Sequence, residues 1–299
     1  MTLIVIGGAT ASGKSTLALD VAQRLGAEIV NADSMQLYKG MNIGTAKVPL
    51  ADRRGITHHM LDVLDVTQES SVADYQREAR VIIDSLLSAR IPVVVVGGTG
   101  LYIKALLDEL NFPERNPKVR QRLYQESEEL GAGAMHQRLR ELDPEAAALI
   151  PEQNVRRVIR ALEVIELTGE PYAAALPREE RSYYPDARQF AIKVDRQILS
   201  ERIEHRVAQM WEAGLVAEVQ NLIDRGLREG VTARAAIGYA QILAALDGEL
   251  SLDEAKAETV VSTRQYARRQ GTWFSRDPRI HWLTGDSTSL SDSLLAALE

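Results

Sequence analysis

The chain has 299 residues, 45% of them hydrophobic and 26% charged, with 35 basic against 42 acidic side chains and no cysteine. That composition is ordinary for a globular protein and allows a large buried core in more than one compact unit. The net charge of −7 argues against nonspecific coating of nucleic acid, the missing cysteines exclude disulfides and thiolate metal sites, and no apolar run approaches the roughly 20 residues that cross a bilayer.

The first apolar run opens at Thr2 or Leu3, so no signal peptide is expected ahead of it and a cytoplasmic enzyme fits. Leu3–Ile6 reads as a buried strand that breaks into G-G-A-T-A-S-G-K-S-T, and Lys14–Leu25 reads as the helix that follows. Glu28–Asn31 is a second strand, ending near Asp33. Ser71–Ala89 has helical spacing of Val72, Tyr75, Ala79, Ile82, Ile83 and Leu86. Ile91–Val96 is another apolar run, stopped by Gly97-Gly98-Thr99-Gly100. Strand, helix, strand, helix, strand predicts a parallel sheet with crossovers, whose carboxyl ends form one functional edge.

After Leu110 the segment N-F-P-E-R-N-P-K, with two prolines, marks an exit from the core. Residues 118–180 read as helices punctuated by Gly131, Gly133, Pro144, Pro151 and Gly169-Glu170-Pro171. Ala187–Asp195 reads as a strand again, followed by helices over Leu199–Arg225 and Leu252–Gln270. The expected architecture is α/β. A P-loop NTPase-like parallel sheet core spans 1–110 and 186–299, and a mostly helical insertion spans 111–185.

Gly8, Gly13, Lys14 and Ser15 fit the spacing G-x-x-x-x-G-K-[ST], with the required strand before it and helix after it. Glycines there let backbone N–H groups converge on phosphate oxygens at a helix N-terminus, Lys14 adds a positive charge, and the Ser15 hydroxyl can reach Mg²⁺. Asp33, at the end of the second strand, faces the same edge. It can take a proton from an acceptor attacking the bound phosphate compound, or cap the following turn, for which Asp33 and Ser34 are both suited. The third strand ends without the aspartate that helps hold Mg²⁺ in many nucleotide hydrolases and kinases, and a guanine-reading N-K-x-D is missing.

Arginines gather at Arg115, Arg120 and Arg122 (with Lys118), at Arg156, Arg157 and Arg160, and at Arg264, Arg268 and Arg269 ahead of Trp273 and Phe274. Arginine with nearby aromatics suits RNA phosphates and unstacked bases. The same clusters also suit solvated helix faces paired with neighbours such as Glu163. His58 and His59, adjacent and with no helix-spaced carboxylate motif, are read as structural or substrate-adjacent. Tyr38 and Met35 are read as packing.

The stretches G-A-T-A-S-G-K-S-T, N-A-D-S-M-Q-L-Y-K-G-M-N-I-G-T-A-K, H-H-M-L-D-V, V-V-G-G-T-G-L-Y-I, R-R-V-I-R-A-L-E-V, I-G-Y-A-Q and R-Q-Y-A-R-R-Q-G-T-W-F occur in an order that resembles the tRNA dimethylallyltransferases, over nearly the whole chain. The resemblance implies transfer of a dimethylallyl group from dimethylallyl diphosphate to the exocyclic amine of the adenosine 3′ of the tRNA anticodon. It implies that Gly8, Thr10, Ala11, Ser12, Gly13, Lys14, Ser15 and Thr16 hold the donor diphosphate, with Arg202 and Arg206 assisting and Mg²⁺ at Ser15. N–H groups from Thr10 to Thr16 would face the diphosphate, Asp33 would be the general base, and Thr10 would stand near the reacting centre. It implies tRNA contacts at Asp33, Ser34, Met35, Gln36, Thr99, Arg120, Arg156, Arg157, Val158, Ile159 and Arg160, and an insertion that grips the anticodon stem-loop of a tRNA bound by a monomer.

The chain departs from that pattern at Ala9, where many relatives have proline, and at Ala240, where a basic residue is often found. It also lacks the zinc finger of eukaryotic members, which points to the bacterial type. The competing readings are an ATP-dependent small-molecule kinase, a prenyltransferase of free adenine nucleotides, and a noncatalytic nucleotide-binding module.

Overall fold

The computed structural model describes residues 2–298 apart from 111, 114, 173–180 and 286. The chain divides into two compact units, one formed by Met1–Leu107 with Tyr184–Glu299 and the other by Asp108–Tyr183.

The first unit is built on one six-stranded, all-parallel sheet of β1 (Leu3–Gly7), β2 (Glu28–Asn31), β3 (His58–His59), β4 (Val93–Val96), β5 (Arg188–Ile192) and β6 (Ile280–Leu283), in the order β3-β2-β4-β1-β5-β6. Its central strands are apolar on both faces because helices cover both. Leu3, Val5, Val30, Val93 and Val95 pack beneath α2 (Val72–Ser88) and α3 (Gly100–Leu107), with Tyr75, Ala79, Ile83 and Leu106 as the helical side. Ile4, Ile6, Ile29 and Val94 point the other way, onto Leu17, Ala18, Val21 and Ala22 of α1 (Lys14–Leu25). The alternation along β1 thus feeds two separate cores.

α1 covers the expected residues, and α2 lies one residue inside its expected bounds, started by Ser71, whose side chain accepts the Asp74 N–H. The helix expected over Leu199–Arg225 is two helices, α8 (Arg196–Glu212) and α9 (Leu215–Ile223). Gly214 breaks it at φ 94°, a conformation glycine adopts without a Cβ clash. α9 packs with α10 (Tyr239–Leu246) and with Tyr38 and Met41 in a third cluster, so Tyr38 is the packing residue expected. His58 and His59 form the short edge strand β3, where His59 pairs with Glu28 at 2.5 Å. The unit closes with α11 (Leu252–Phe274), β6 and α12 (Ser287–Ala296). Among the described residues, no helix is long and apolar enough to cross a membrane.

The second unit contains α4 (Pro117–Leu130), α5 (Ala132–Leu142), α6 (Pro144–Leu149) and α7 (Val155–Thr168) around its own cluster of Leu123, Met135, Leu139, Ile150 and Leu162. Its punctuation is local. Asn116, Asp143 and Asn154 accept N–H groups at the starts of α4, α6 and α7, and Pro117 and Pro144 sit in the first turns of α4 and α6.

Candidate active site

β1 delivers the chain into the Gly8–Thr16 loop, which turns through positive φ at Gly8 (134°), Ala11 (61°) and Gly13 (95°) before α1 begins. Gly13 has no side chain to cap α1, so the first-turn N–H groups and the helix dipole remain available to an anion. Lys14 folds its ammonium over the loop and donates to the Ala9 carbonyl at 3.2 Å. Burial pushes this lysine down to about 8, against the pull of the Asp33 charge and with a further push from Arg206.

The loop forms one wall of a cavity of about 340 Å³. α8 supplies the facing cations, Arg202 and Arg206. Arg206 donates from Nη1 to Thr10 Oγ1 at 3.3 Å, and burial lowers its pKa although Asp33 opposes the shift. No ion pair involves Lys14, Arg202 or Arg206 among the described residues. Three cations thus line a small hollow with Asp33 as the carboxylate among its lining residues, an arrangement that attracts an anion richer in charge than one carboxylate.

Asp33 is fixed by its neighbours. Asn31, buried at the end of β2, accepts the Asp33 N–H at 3.0 Å and donates from Nδ2 to the carbonyls of Asp33 and Met60, both at 2.9 Å. Asp33 Oδ1 accepts the Met35 N–H at 3.0 Å. The capping role is therefore real, and it leaves acceptor capacity on a carboxylate with about four lone-pair sites. Capping and proton transfer are compatible. Thr99 Oγ1 accepts the Ser34 N–H at 3.0 Å and lies 3.3 Å from the Ser34 hydroxyl, so the turn after β4 braces the turn after β2.

The cavity is lined by Thr10, Ala11, Gly13, Lys14, Ser15, Thr16, Asp33, Gln36, Arg202 and Arg206. Gly8 and Ser12 line a different hollow, of about 450 Å³, on the other flank of the loop. Ser12 is buried, its hydroxyl has no hydrogen-bond partner among the described residues, and its side chain does not face the cation-lined cavity. The Thr10 N–H is committed to Gln270 Oε1 at 2.8 Å, so the run of loop donors available to an anion begins after Thr10. Met35 packs against the third cluster.

In the helical unit the arginines separate into two groups. Arg120 and Arg160 converge on Glu163 at 2.6 and 2.8 Å, and the same carboxylate, fully buried, accepts the Asn116 N–H at 2.9 Å. Burial pushes the Glu163 pKa up, but Arg160, Arg120 and that N–H outweigh it and hold it below the ordinary carboxylate value. Arg122 is paired with Glu126 and Glu166. Arg156 and Arg157 are exposed and form no ion pair among the described residues, whereas Val158 and Ile159, 1% exposed, turn into the core. The most exposed side chains on this stretch are those of Arg156 and Arg157, while Arg160 is partly exposed. Phe274, read with the third arginine group as a surface aromatic, is also core; Trp273 is the exposed one.

The sequence did not single out Asn31, Tyr266 or Gln270. Tyr266 is pushed up to about 12, by burial first and the Asp33 charge second, with Thr99 and Gln270 as hydrogen-bond neighbours acting against that shift. The available signal was V-V-G-G-T-G: a Cβ on Gly98 would lie 2.2 Å from Gln270 Nε2, so this glycine marks where α11 approaches β4.

A family model described as IPP transferase matches residues 36–277. A tRNA dimethylallyltransferase from Thermobifida fusca is 56% identical over 301 residues, covering 99% of this chain and 93% of that protein. One from Streptomyces coelicolor is 54% identical over 300 residues, covering 99% and 96%. Among solved structures, the tRNA isopentenylpyrophosphate transferase of Bacillus halodurans superposes with a TM-score of 0.71 at 36% identity, covering 99% of this chain and 96% of that one. A eukaryotic dimethylallyltransferase acting on tRNA gives 0.83 at 26% identity, covering 99% and 77%.

Proposed function

The chain belongs to the IPP transferase family, the tRNA dimethylallyltransferases, and from that premise we propose that it moves a dimethylallyl group from dimethylallyl diphosphate to the exocyclic amine of the adenosine 3′ of a tRNA anticodon, in the cytoplasm. It is a transferase that modifies tRNA. The observation that carries the donor assignment is the cation-lined cavity at the phosphate loop with Asp33 on its wall. No relative cited above supports the ATP-dependent kinase.

The bond that breaks is carbon–oxygen, and diphosphate leaves with the electron pair. Lys14, Arg202, Arg206 and the free N–H groups at the start of α1 meet the negative charge that grows on it, the electrostatic contribution that is usually largest. The attacking amine is weak because its lone pair is delocalised into the adenine ring. Asp33 accepts its proton as the new carbon–nitrogen bond forms, worth about 10²–10⁴-fold.

The donor set at the loop fits Mg²⁺. Ser15 offers a hydroxyl in the cavity, and the described residues hold no cluster of three histidines or carboxylates that would cage a cation without help. A hard cation here would take Ser15, donor oxygens and water, and would supply further charge neutralisation. The target base must leave its stack to reach Asp33. Arg156 and Arg157, exposed and without an ion pair among the described residues, serve the tRNA backbone in this reading.

The test is transfer of label from dimethylallyl diphosphate to unmodified tRNA with Mg²⁺ and no ATP, beside reactions containing AMP or a tRNA lacking that adenosine. Label on intact tRNA alone is expected. Label on AMP moves the assignment to free-nucleotide enzymes, and none anywhere removes the donor.

A further inference from the structure

The phosphate loop and the G-G-T-G turn follow adjacent strands, with Ile6 and Val96 in register and the Gly97 N–H donating to the Ile6 carbonyl at 3.2 Å. Beyond those bonds the two turns diverge. One carries Thr10 toward Arg206 and the diphosphate seat; the other carries Thr99 toward Ser34 and Asp33. A helix more than 150 residues further along the chain joins them again.

Gln270 of α11 is 5% exposed. Its Oε1 accepts the Thr10 N–H at 2.8 Å and its Nε2 donates to the Gly98 carbonyl at 2.8 Å. Both partners are backbone groups of fixed polarity, so the amide fits one way round. Asparagine is a carbon too short, and an aliphatic side chain would leave a buried N–H and a buried C=O unpaired. The turn is built to admit this amide, because any side chain at Gly98 would collide with it. Neither bond is needed to close the sheet, which is already paired through β1 and β4.

We propose that Gln270 is a positioning residue for the transfer reaction, tying the half of the site that seats the diphosphate to the half that carries the base. The inference rests on the donor and acceptor assigned above. Thr10, with its N–H turned into α11, presents its hydroxyl to Arg206; Gly98, held by the same amide, sets Thr99 and through it the Ser34–Asp33 turn. Carbon–oxygen cleavage and proton removal occur in one substrate complex, so the spacing of the two halves governs rate more than affinity. A misplacement of about 1 Å in such a constellation can cost about 10²-fold.

Gln270→Glu keeps the size and the acceptor for Thr10. When ionised, it sets an oxygen against the Gly98 carbonyl; when protonated, it regains a donor. The titratable and charged groups around that point are Tyr266 and Arg269 on α11, Arg206 on α8, and Lys14 and Asp33. Because a carboxylate at 270 also perturbs these groups, Gln270→Met, which adds no titrating group, serves as the reference for the pH dependence.

The experiment measures kcat, and KM for dimethylallyl diphosphate and for tRNA, between about pH 5.5 and 8.5, for wild type, Gln270→Glu and Gln270→Met, with thermal melts of all three. The expected result is a kcat about 10²-fold down for Gln270→Glu at the alkaline end. Its ratio to wild type should climb as pH falls, with both KM values within a few-fold. Gln270→Met should stay low at every pH. If Gln270→Glu does not fold, Gln270→Met decides alone, by a kcat loss with unchanged donor affinity. An active wild type with a pH-independent ratio, or with Gln270→Met turning over normally, overturns the positioning role alone. A wild type that transfers nothing from this donor to tRNA overturns the underlying assignment as well.

Discussion

Two sets of arginines, one in the helical unit and one at the cavity of the sheet unit, are used in opposite ways. In the helical unit Arg120, Arg122, Arg138 and Arg160 are each paired with a carboxylate, and the pairing on Glu163 is buried. At the cavity of the sheet unit Arg202 and Arg206 form no ion pair among the described residues and stand beside Lys14. The first arrangement uses charge to join helices, with α4 and α7 bridged through one carboxylate. The second leaves charge unspent, which costs stability until an anion arrives. An arginine's role is read from what already neutralises it, and in the helical unit Arg156 and Arg157 resemble the arginines of the cavity in this respect.

The comparison breaks first at Asp33. Asp33→Ala should lower turnover by about 10²–10⁴-fold while donor binding survives, measured by single-turnover transfer and by calorimetry with dimethylallyl diphosphate. Equal loss of both would make Asp33 another structural carboxylate. Glu163→Gln tests the opposite pole. It strips the buried partner from two arginines, and breaking such a pair costs about 3–5 kcal/mol, read as a lowered melting midpoint with donor affinity intact. Because the Glu163 pKa is held below its ordinary value, its contribution is present at neutral pH and is lost only as pH falls below that value and through the native one. A wild-type acid melt with no midpoint drop below about pH 4 relative to Glu163→Gln would remove it from that role.

Lys14 sharpens the contrast with a titration. Lowered to about 8, it loses its proton as pH rises through that value, whereas a bound diphosphate favours the charged form. Donor affinity should therefore be highest below pH 8 and fall above it, by up to about tenfold per pH unit for one linked proton. A dissociation constant flat between about pH 7.5 and 9.5 would mean that the ammonium does not meet the donor. The smallest effect is expected at Arg157→Ala, with stability unchanged within about 0.5 kcal/mol and a tRNA-binding salt slope reduced by about one. An unchanged slope would take it off the RNA surface.

Much of the sheet unit was legible because its signals are local. An apolar run before G-x-x-x-x-G-K-S, a second run ending at Asp33 and V-V-V-V before G-G-T-G identify three strands and the edge they serve. β3 and β6 were not legible: two and four residues, the latter reading I-H-W-L, give no period to follow. The break in Leu199–Arg225 rested on one glycine within helical spacing. Val158 and Ile159 follow two exposed arginines, and a motif read as a string assigns all its letters to the same surface, although a helix turns about 100° per residue. Gln270 was hidden for a different reason. A glutamine among arginines on a helix reads as solvated, and only the approach of α11 to Gly98 reveals that it is buried and fully bonded.

The strand order also has a consequence in time. β1, at the heart of the sheet, lies between β4 and β5, and β5 begins only at Arg188, after the whole helical unit. During synthesis β3, β2, β4 and β1 can assemble once residue 96 has emerged. The far edge of β1 then stays open while some ninety further residues are made, roughly 5–20 s at about 5–20 residues per second. Through that interval the nascent chain presents an apolar, unpaired strand edge. The helical unit, closed by its own caps and core, can fold during the wait, so the pairing that completes the central strand comes after it, and β6 adds to β5 last.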